Sequence, residues 1–168
     1  MKLLPPKSGS GRQIEMWMQQ VSLEMTRINF SLARVYLTAN QAISHNTATK
    51  VSGYTESSDI GDNFASDKYV AKATGYYQVN FSVYYYDATS KLNFAVSKLY
   101  KNGSEILNGV AWSGPDSAYI VCHGGDQIQI NAGEYLELYG FILTSDSGAA
   151  VMLAGSANTF MSVHLIST

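Results

Sequence analysis

The side chains best suited to chemistry in this sequence are three histidines, His45, His123 and His164, a single cysteine, Cys122, and a scatter of acidic residues. A serine nucleophile would need a histidine base and an orienting acid on a sharp strand-to-helix turn, and no such elbow pattern occurs. The histidines are therefore read as structural. His123-Gly124-Gly125 has the composition of an oxyanion-hole tripeptide, but it follows a strand end and precedes Asp126, so a turn is expected there. Cys122 and His123 are neighbours on a predicted strand end and must point to opposite sides, which leaves Cys122 as a buried, inert thiol.

The stretch from Ser57 to Asp67 holds Asp59, Asp62 and Asp67 in a loop whose oxygens could suit Ca²⁺. It lacks the spacing of a calcium loop and is read as a solvated turn. Glycoside hydrolysis would need two carboxylates flanking one bond. Asp116 with Glu134 or Glu137 is the pairing that folding could produce, but no motif points to it. The residues thus predict no catalytic centre, no metal site and no cofactor. Three glycosylation sequons, beginning at Asn29, Asn80 and Asn102, are read as chance because no export signal precedes them. The tyrosine clusters Tyr76-Tyr77 and Tyr84-Tyr85-Tyr86 could stack sugars if exposed, and are expected instead in a core or a subunit interface.

Composition narrows the partners. The 168 residues carry a net charge of −2 with 14 % charged side chains, so there is no basic stripe and no nucleic-acid partner is expected. No run reaches the ~18 apolar residues of a membrane span. One cysteine excludes an intrachain disulfide. Aromatic content is high, with 12 Tyr, 6 Phe and 2 Trp.

The elements that would position these residues fall into three parts. Residues 1–12, with Leu3, Leu4, Pro5, Pro6 and a Ser-Gly repeat before Arg12, read as an extended docking arm. Residues 13–28 place Ile14, Met18, Val21, Met25 and Ile28 at intervals of 4, 3, 4 and 3, a heptad seam. About two heptads are too short to stand alone in water, so this helix packs either on its own domain or on other copies of itself.

Residues 29–168 shift to a period of two. In Gly75 to Tyr85 one face carries Tyr77, Val79, Phe81, Val83 and Tyr85, and the other Gln78, Asn80 and Ser82. Asn102-Gly103 marks a type I′ hairpin between strands at about 92–100 and 105–112. Further strands are expected at about 32–38, 50–53, 69–73, 118–122, 127–130, 135–144 and 159–166. Turns are expected at Gly124-Gly125-Asp126, Ala132-Gly133-Glu134 and Asp146-Ser147-Gly148. Phe94, Tyr139 and Phe160 join Tyr77, Phe81 and Tyr85 as expected core or interface aromatics. The fold class is all-β, a sandwich or barrel.

The order of these features resembles the globular-head family of complement component 1q and tumour necrosis factor, in the form found on bacteriophage virions. The resemblance spans about Phe30 to Ile166. Its carriers are Phe30-Ser31-Leu32-Ala33-Arg34-Val35 with Asn40-Gln41-Ala42-Ile43, then Tyr69-Val70-Ala71, Gly75-Tyr76-Tyr77-Gln78-Val79, Lys101-Asn102-Gly103, Ala132-Gly133-Glu134 and the closing Thr159–Ile166. Ser162 departs from the glycine of many members, and no collagen-type repeat precedes the domain.

The resemblance implies a ten-stranded antiparallel jelly roll that forms a homotrimer, and with it the helix becomes a short trimeric coiled coil. It further implies a non-enzymatic virion-surface protein, assembled in the host cytoplasm and docked on capsid or another virion protein through its arm. The alternative is the receptor-binding tip of a tail fibre, with a host surface glycan or protein as partner.

Overall fold

The computed structural model describes residues 11–27 and 31–168, with side chains for 11–19 and 31–168. The chain divides into an N-terminal unit ending at Phe30 and a knob from Ser31 to Thr168. In the first unit a helix, α1, spans Gly11–Arg27. Arg12, assigned above to the docking arm, is helical: first-turn N–H groups lack intrahelical partners in any helix, so Gly11 costs at most about 1 kcal/mol there and does not delay the start. Ile14 and Met18 share one side of α1 and are 45 % and 59 % exposed. The side chains of Val21 and Met25, and all of Ile28, Leu3, Leu4, Pro5 and Pro6, lie outside the described residues.

The knob has fourteen strands where the sequence reading expected ten. They are β1 (Leu32–Leu37), β2 (Gln41–Ile43), β3 (Thr49–Lys50), β4 (Tyr54–Ile60), β5 (Phe64–Ala65), β6 (Lys68–Val70), β7 (Gly75–Tyr86), β8 (Leu92–Lys101), β9 (Ser104–Asn108), β10 (Trp112–Ser117), β11 (Tyr119–Ile130), β12 (Tyr135–Thr144), β13 (Ala150–Met152) and β14 (Phe160–Ser167). Most of the excess is short segments that pair for two or three residues. The exception, β4, reads Tyr-Thr-Glu-Ser-Ser-Asp-Ile without alternation because it is an edge strand with β1 as its single partner.

Two antiparallel sheets of seven strands result. The first runs β2-β13-β7-β14-β1-β4, with β11 along the other side of β7. The second runs β10-β8-β12-β6-β5, with β3 on β12 and β9 on β8. The last strand, β14, lies between β7 and β1.

Between the sheets sit Val35, Tyr69, Tyr77, Phe81, Leu138 and Ile142, each no more than 1 % exposed. The hydroxyl of Tyr85, from the first sheet, donates to the Val96 carbonyl of the second at 2.8 Å, so a buried phenol is satisfied and pins one layer to the other.

Asn102 and Gly103 have φ of 52° and 79°, the two positive values a type I′ turn needs. Turns also form at Gly133 (φ 88°) and Ser147 (φ 60°). Two expectations fail. The strand expected at 105–112 is split into β9 and β10, because Gly109 N–H turns to the Ser97 carbonyl and Val110 N–H to the His123 carbonyl, both at 2.7 Å. The turn expected at Gly124-Gly125-Asp126 is the middle of one continuous strand, β11, paired with β7 along its whole length. The glycines are there for space: a Cβ on Gly124 would lie 2.6 Å from Phe81 Cζ, and one on Gly125 2.8 Å from the Val79 carbonyl oxygen.

Candidate functional site

His45 Nδ1 accepts the Thr144 backbone N–H at 3.0 Å, tying the segment after β2 to the end of β12. His123 and His164 are exposed on the outer face of the first sheet. They oppose Ser82 and Gln78 of β7 respectively, so they stand at different levels along that strand. Cys122 points the other way into the core, where burial pushes its thiol up to about 11, partly offset by the Trp112 and Ser97 backbone. A thiol held protonated is a poor nucleophile.

Each carboxylate has its own occupation. Asp116 meets Lys91 Nζ at 3.2 Å and the Ser145 hydroxyl at 2.8 Å, Glu134 meets Lys101 Nζ at 3.4 Å, and Glu137 meets Lys50 Nζ at 2.7 Å. The Asn131 N–H, then Lys101, hold Glu134 below its ordinary value, and the Ser145 hydroxyl, then Lys91, do the same for Asp116. The stretch expected as one solvated turn from Ser57 to Asp67 is instead strand up to Ile60 in β4 and again in β5, and there Asp59 accepts the N–H groups of Asn63 and Phe64, and Asp67 those of Gly53 and Tyr54. Their oxygens shape backbone turns. Among the described residues no group of three or more His, Cys, Asp or Glu could hold a metal ion.

What the fold does assemble is two outward sheet faces. On the first sheet the registers place Tyr119 opposite Tyr86 and Val121 opposite Tyr84, and place Phe160 between Ser82 and Tyr36. Tyr119 stacks on Tyr86 at 4.8 Å and meets Tyr84 edge-on at 5.9 Å. Arg34 covers the Phe160 ring at 4.4 Å. Tyr119 and Val121 nevertheless remain 53 % and 48 % exposed, and Val151 continues the patch beside Tyr86. One end of this face is thus aromatic and unpartnered, while further along it becomes polar through Asn80, Ser162, Gln78 and Gln127.

The second sheet's outward face is built from β8 and β12. Val96 opposes Phe141, Lys98 opposes Tyr139, and Tyr100 opposes Glu137. Tyr100 and Tyr139 lie 4.2 Å apart and tilted by 33°, while Phe94 and Phe141 meet edge to face at 6.1 Å. Two ion pairs border the rings, Lys98–Glu105 at 2.8 Å and Lys50–Glu137 at 2.7 Å.

The six aromatics singled out from the sequence therefore divide by sheet face. Tyr77, Phe81 and Tyr85 fill the core, Phe160 belongs to the first outer face, and Phe94 and Tyr139 belong to the second. Sequence reasoning missed Tyr119, Val121, Tyr100 and Phe141. Reading β11 as two strands around a turn hid the alternation that puts Tyr119, Val121 and His123 on one face.

No family model and no curated protein matches the sequence. Solved structures do. The Eiger TNF of S. frugiperda superposes with a TM-score of 0.60 over 82 % of this chain and 93 % of its own, at 15 % identity. Murine APRIL at pH 5.0 gives 0.60 over 82 % and 99 %, also at 15 % identity. The globular domain of zebrafish complement 1qA gives 0.57 over 81 % and 97 %, at 14 % identity. With its two antiparallel sheets and a last strand seated between β1 and β7, the knob has the jelly-roll fold of tumour necrosis factor and complement 1q proteins.

Proposed function

We propose that this chain is a non-enzymatic, homotrimeric structural protein of a bacteriophage virion. Residues 1–12 dock on the capsid or another virion protein, the heptad helix holds three copies in register, and the knob projects outward. The observation that carries the trimer is the uncovered aromatic end of the first sheet: Tyr119 and Val121 sit half exposed on a rigid strand pair, next to Tyr84 and Tyr86. Exposed apolar patches on a rigid sheet mark association surfaces, and Tyr is enriched at their centres. The spacing that sets Ile14 and Met18 on one side of α1 is the one the proposed coiled coil would use. The virion assignment rests on the sequence resemblance and on the arm-like composition of residues 1–12.

Sedimentation of the full chain tests the trimer, and Tyr119→Lys, which brings three like charges onto the proposed contact, is expected to lower its mass to that of a monomer. A wild-type monomer at micromolar concentration overturns the reading. Removal of residues 1–28 should leave trimeric knobs that no longer join particles, and normal attachment of the truncated protein would sink the anchor. Purified trimer that competes with phage adsorption to host cells would move the protein from capsid decoration to a fibre tip.

A further inference from the structure

The outward face of the second sheet lies apart from the aromatic end of the first sheet proposed above as the trimer contact. Four rings, Phe94, Phe141, Tyr139 and Tyr100, cover the two central strands, and the corner between Phe94 and Phe141 opens into a hollow of about 280 Å³. Val96 and Ala111 complete its apolar lining, and Lys98 and Asn108 supply its polar rim. Glu105 gathers that rim: Lys98 Nζ donates to it at 2.8 Å, and the Tyr100 hydroxyl lies 3.4 Å away. On the far side of the rings the Lys50–Glu137 pair repeats the arrangement.

We propose that this face binds a neutral oligosaccharide, one sugar ring seated in the Phe94–Phe141 hollow and the next lying toward Tyr139 and Tyr100. Sugar C–H edges carry partial positive charge and stack on the negative face of an aromatic ring. Sugar hydroxyls donate and accept, and each ion pair offers both functions, since an ammonium has three protons and a carboxylate about four acceptor positions. Lys50 and Lys98, the two lysines beside these four rings, are each matched by a glutamate, so they add no net charge there to favour a polyanion. A flat apolar partner, including a second copy of this chain, would have to strip water from both ion pairs without replacing its hydrogen bonds. A hollow near the lower limit of small-molecule pockets suits a single sugar ring at a time. The site lies within one protomer, so it stands or falls independently of the trimer.

The test is binding of the full-length protein to an array of neutral hexose and N-acetylhexosamine oligosaccharides printed beside sialylated and sulphated ones. Affinities of the binders are then measured by calorimetry. Neutral glycans are expected to bind, and Phe141→Leu, which keeps apolar volume but removes the ring, to weaken binding about ten-fold, the scale of one ring contact. Lys98→Met and Tyr139→Leu provide second probes should Phe141→Leu fold poorly, with near-ultraviolet circular dichroism as the check. Failure of the wild type to bind, binding confined to the acidic glycans, or full affinity in correctly folded variants each overturns the proposal. So does a change in oligomer mass in Phe141→Leu, which would make the face a contact between copies.

Discussion

Replacing Gly124 with alanine tests the packing of the sandwich at a crowded point of the β7–β11 pairing. Residue 124 lies in the middle of β11 opposite Phe81, and its φ is not among the positive ones, so alanine is compatible with the backbone. What alanine lacks is room. Its Cβ would lie 2.6 Å from Phe81 Cζ, 2.9 Å from Phe81 Cε2 and 2.8 Å from Gly109 Cα. Ordinary carbon contacts fall near 3.5–4.0 Å, so something must move by roughly 1 Å. Phe81 is 1 % exposed and the Gly109 segment is tied by its N–H to the Ser97 carbonyl, so neither yields freely. Overpacking of this kind costs about 1–3 kcal/mol. At the middle of that range, a chain of this size should melt about 4–8 °C lower. The assay is denaturant unfolding at fixed protein concentration, with Phe81→Leu made alone and in combination. Phe81→Leu by itself opens a cavity, but together the two should be less damaging than their sum by ~0.5 kcal/mol or more. If Gly124→Ala unfolds with the wild type, or if its cost is indifferent to Phe81, then Gly124 is not there for close packing.

Two other side chains make separate predictions. Burial opposes the charge on Asp87, but the N–H groups of Thr89 and Lys91 and the Thr89 hydroxyl outweigh it and hold the carboxyl below its ordinary 3.8. The unfolded chain therefore takes up the proton first. The stabilisation is complete above the ordinary value and is lost as pH falls through the folded one. Asp87→Ala should cost about 1–3 kcal/mol at pH 7 by urea unfolding and progressively less in acid; a pH-independent difference would refute the link. Cys122, buried and pushed up to about 11, should resist an aromatic disulfide reagent at pH 8 until denaturant opens the knob, and rapid labelling of the native protein would contradict its placement.

Local chemistry made some elements readable and hid others. The Asn102-Gly103 hairpin was legible because positive φ at two successive residues is a demand that few residue pairs meet. The alternation of β7 was legible because one face is fully buried. β4 was not, since an edge strand with half-exposed side chains carries no period. Gly124-Gly125 was misread because glycine serves equally where a chain turns and where two strands crowd a neighbour, and only the facing ring of Phe81 tells these apart. The burial of Tyr77, Phe81 and Tyr85 follows from the alternation of β7, whereas the sheet face that Phe94, Tyr139 and Phe160 occupy depends on register with a distant strand. Phe94 and Phe141 meet across β8 and β12, a pairing invisible along the chain.

The seating of β14 between β7 and β1 has a consequence for biosynthesis. The slot it fills is flanked by strands made well before it, so until β14 is made the first sheet carries two open, hydrogen-bond-hungry edges. Folding of the knob is therefore deferred until β14 has left the ribosome. A message that stops before β14 yields a chain with a gap through the middle of a sheet, a form prone to pair with its neighbours rather than to persist as a smaller protein.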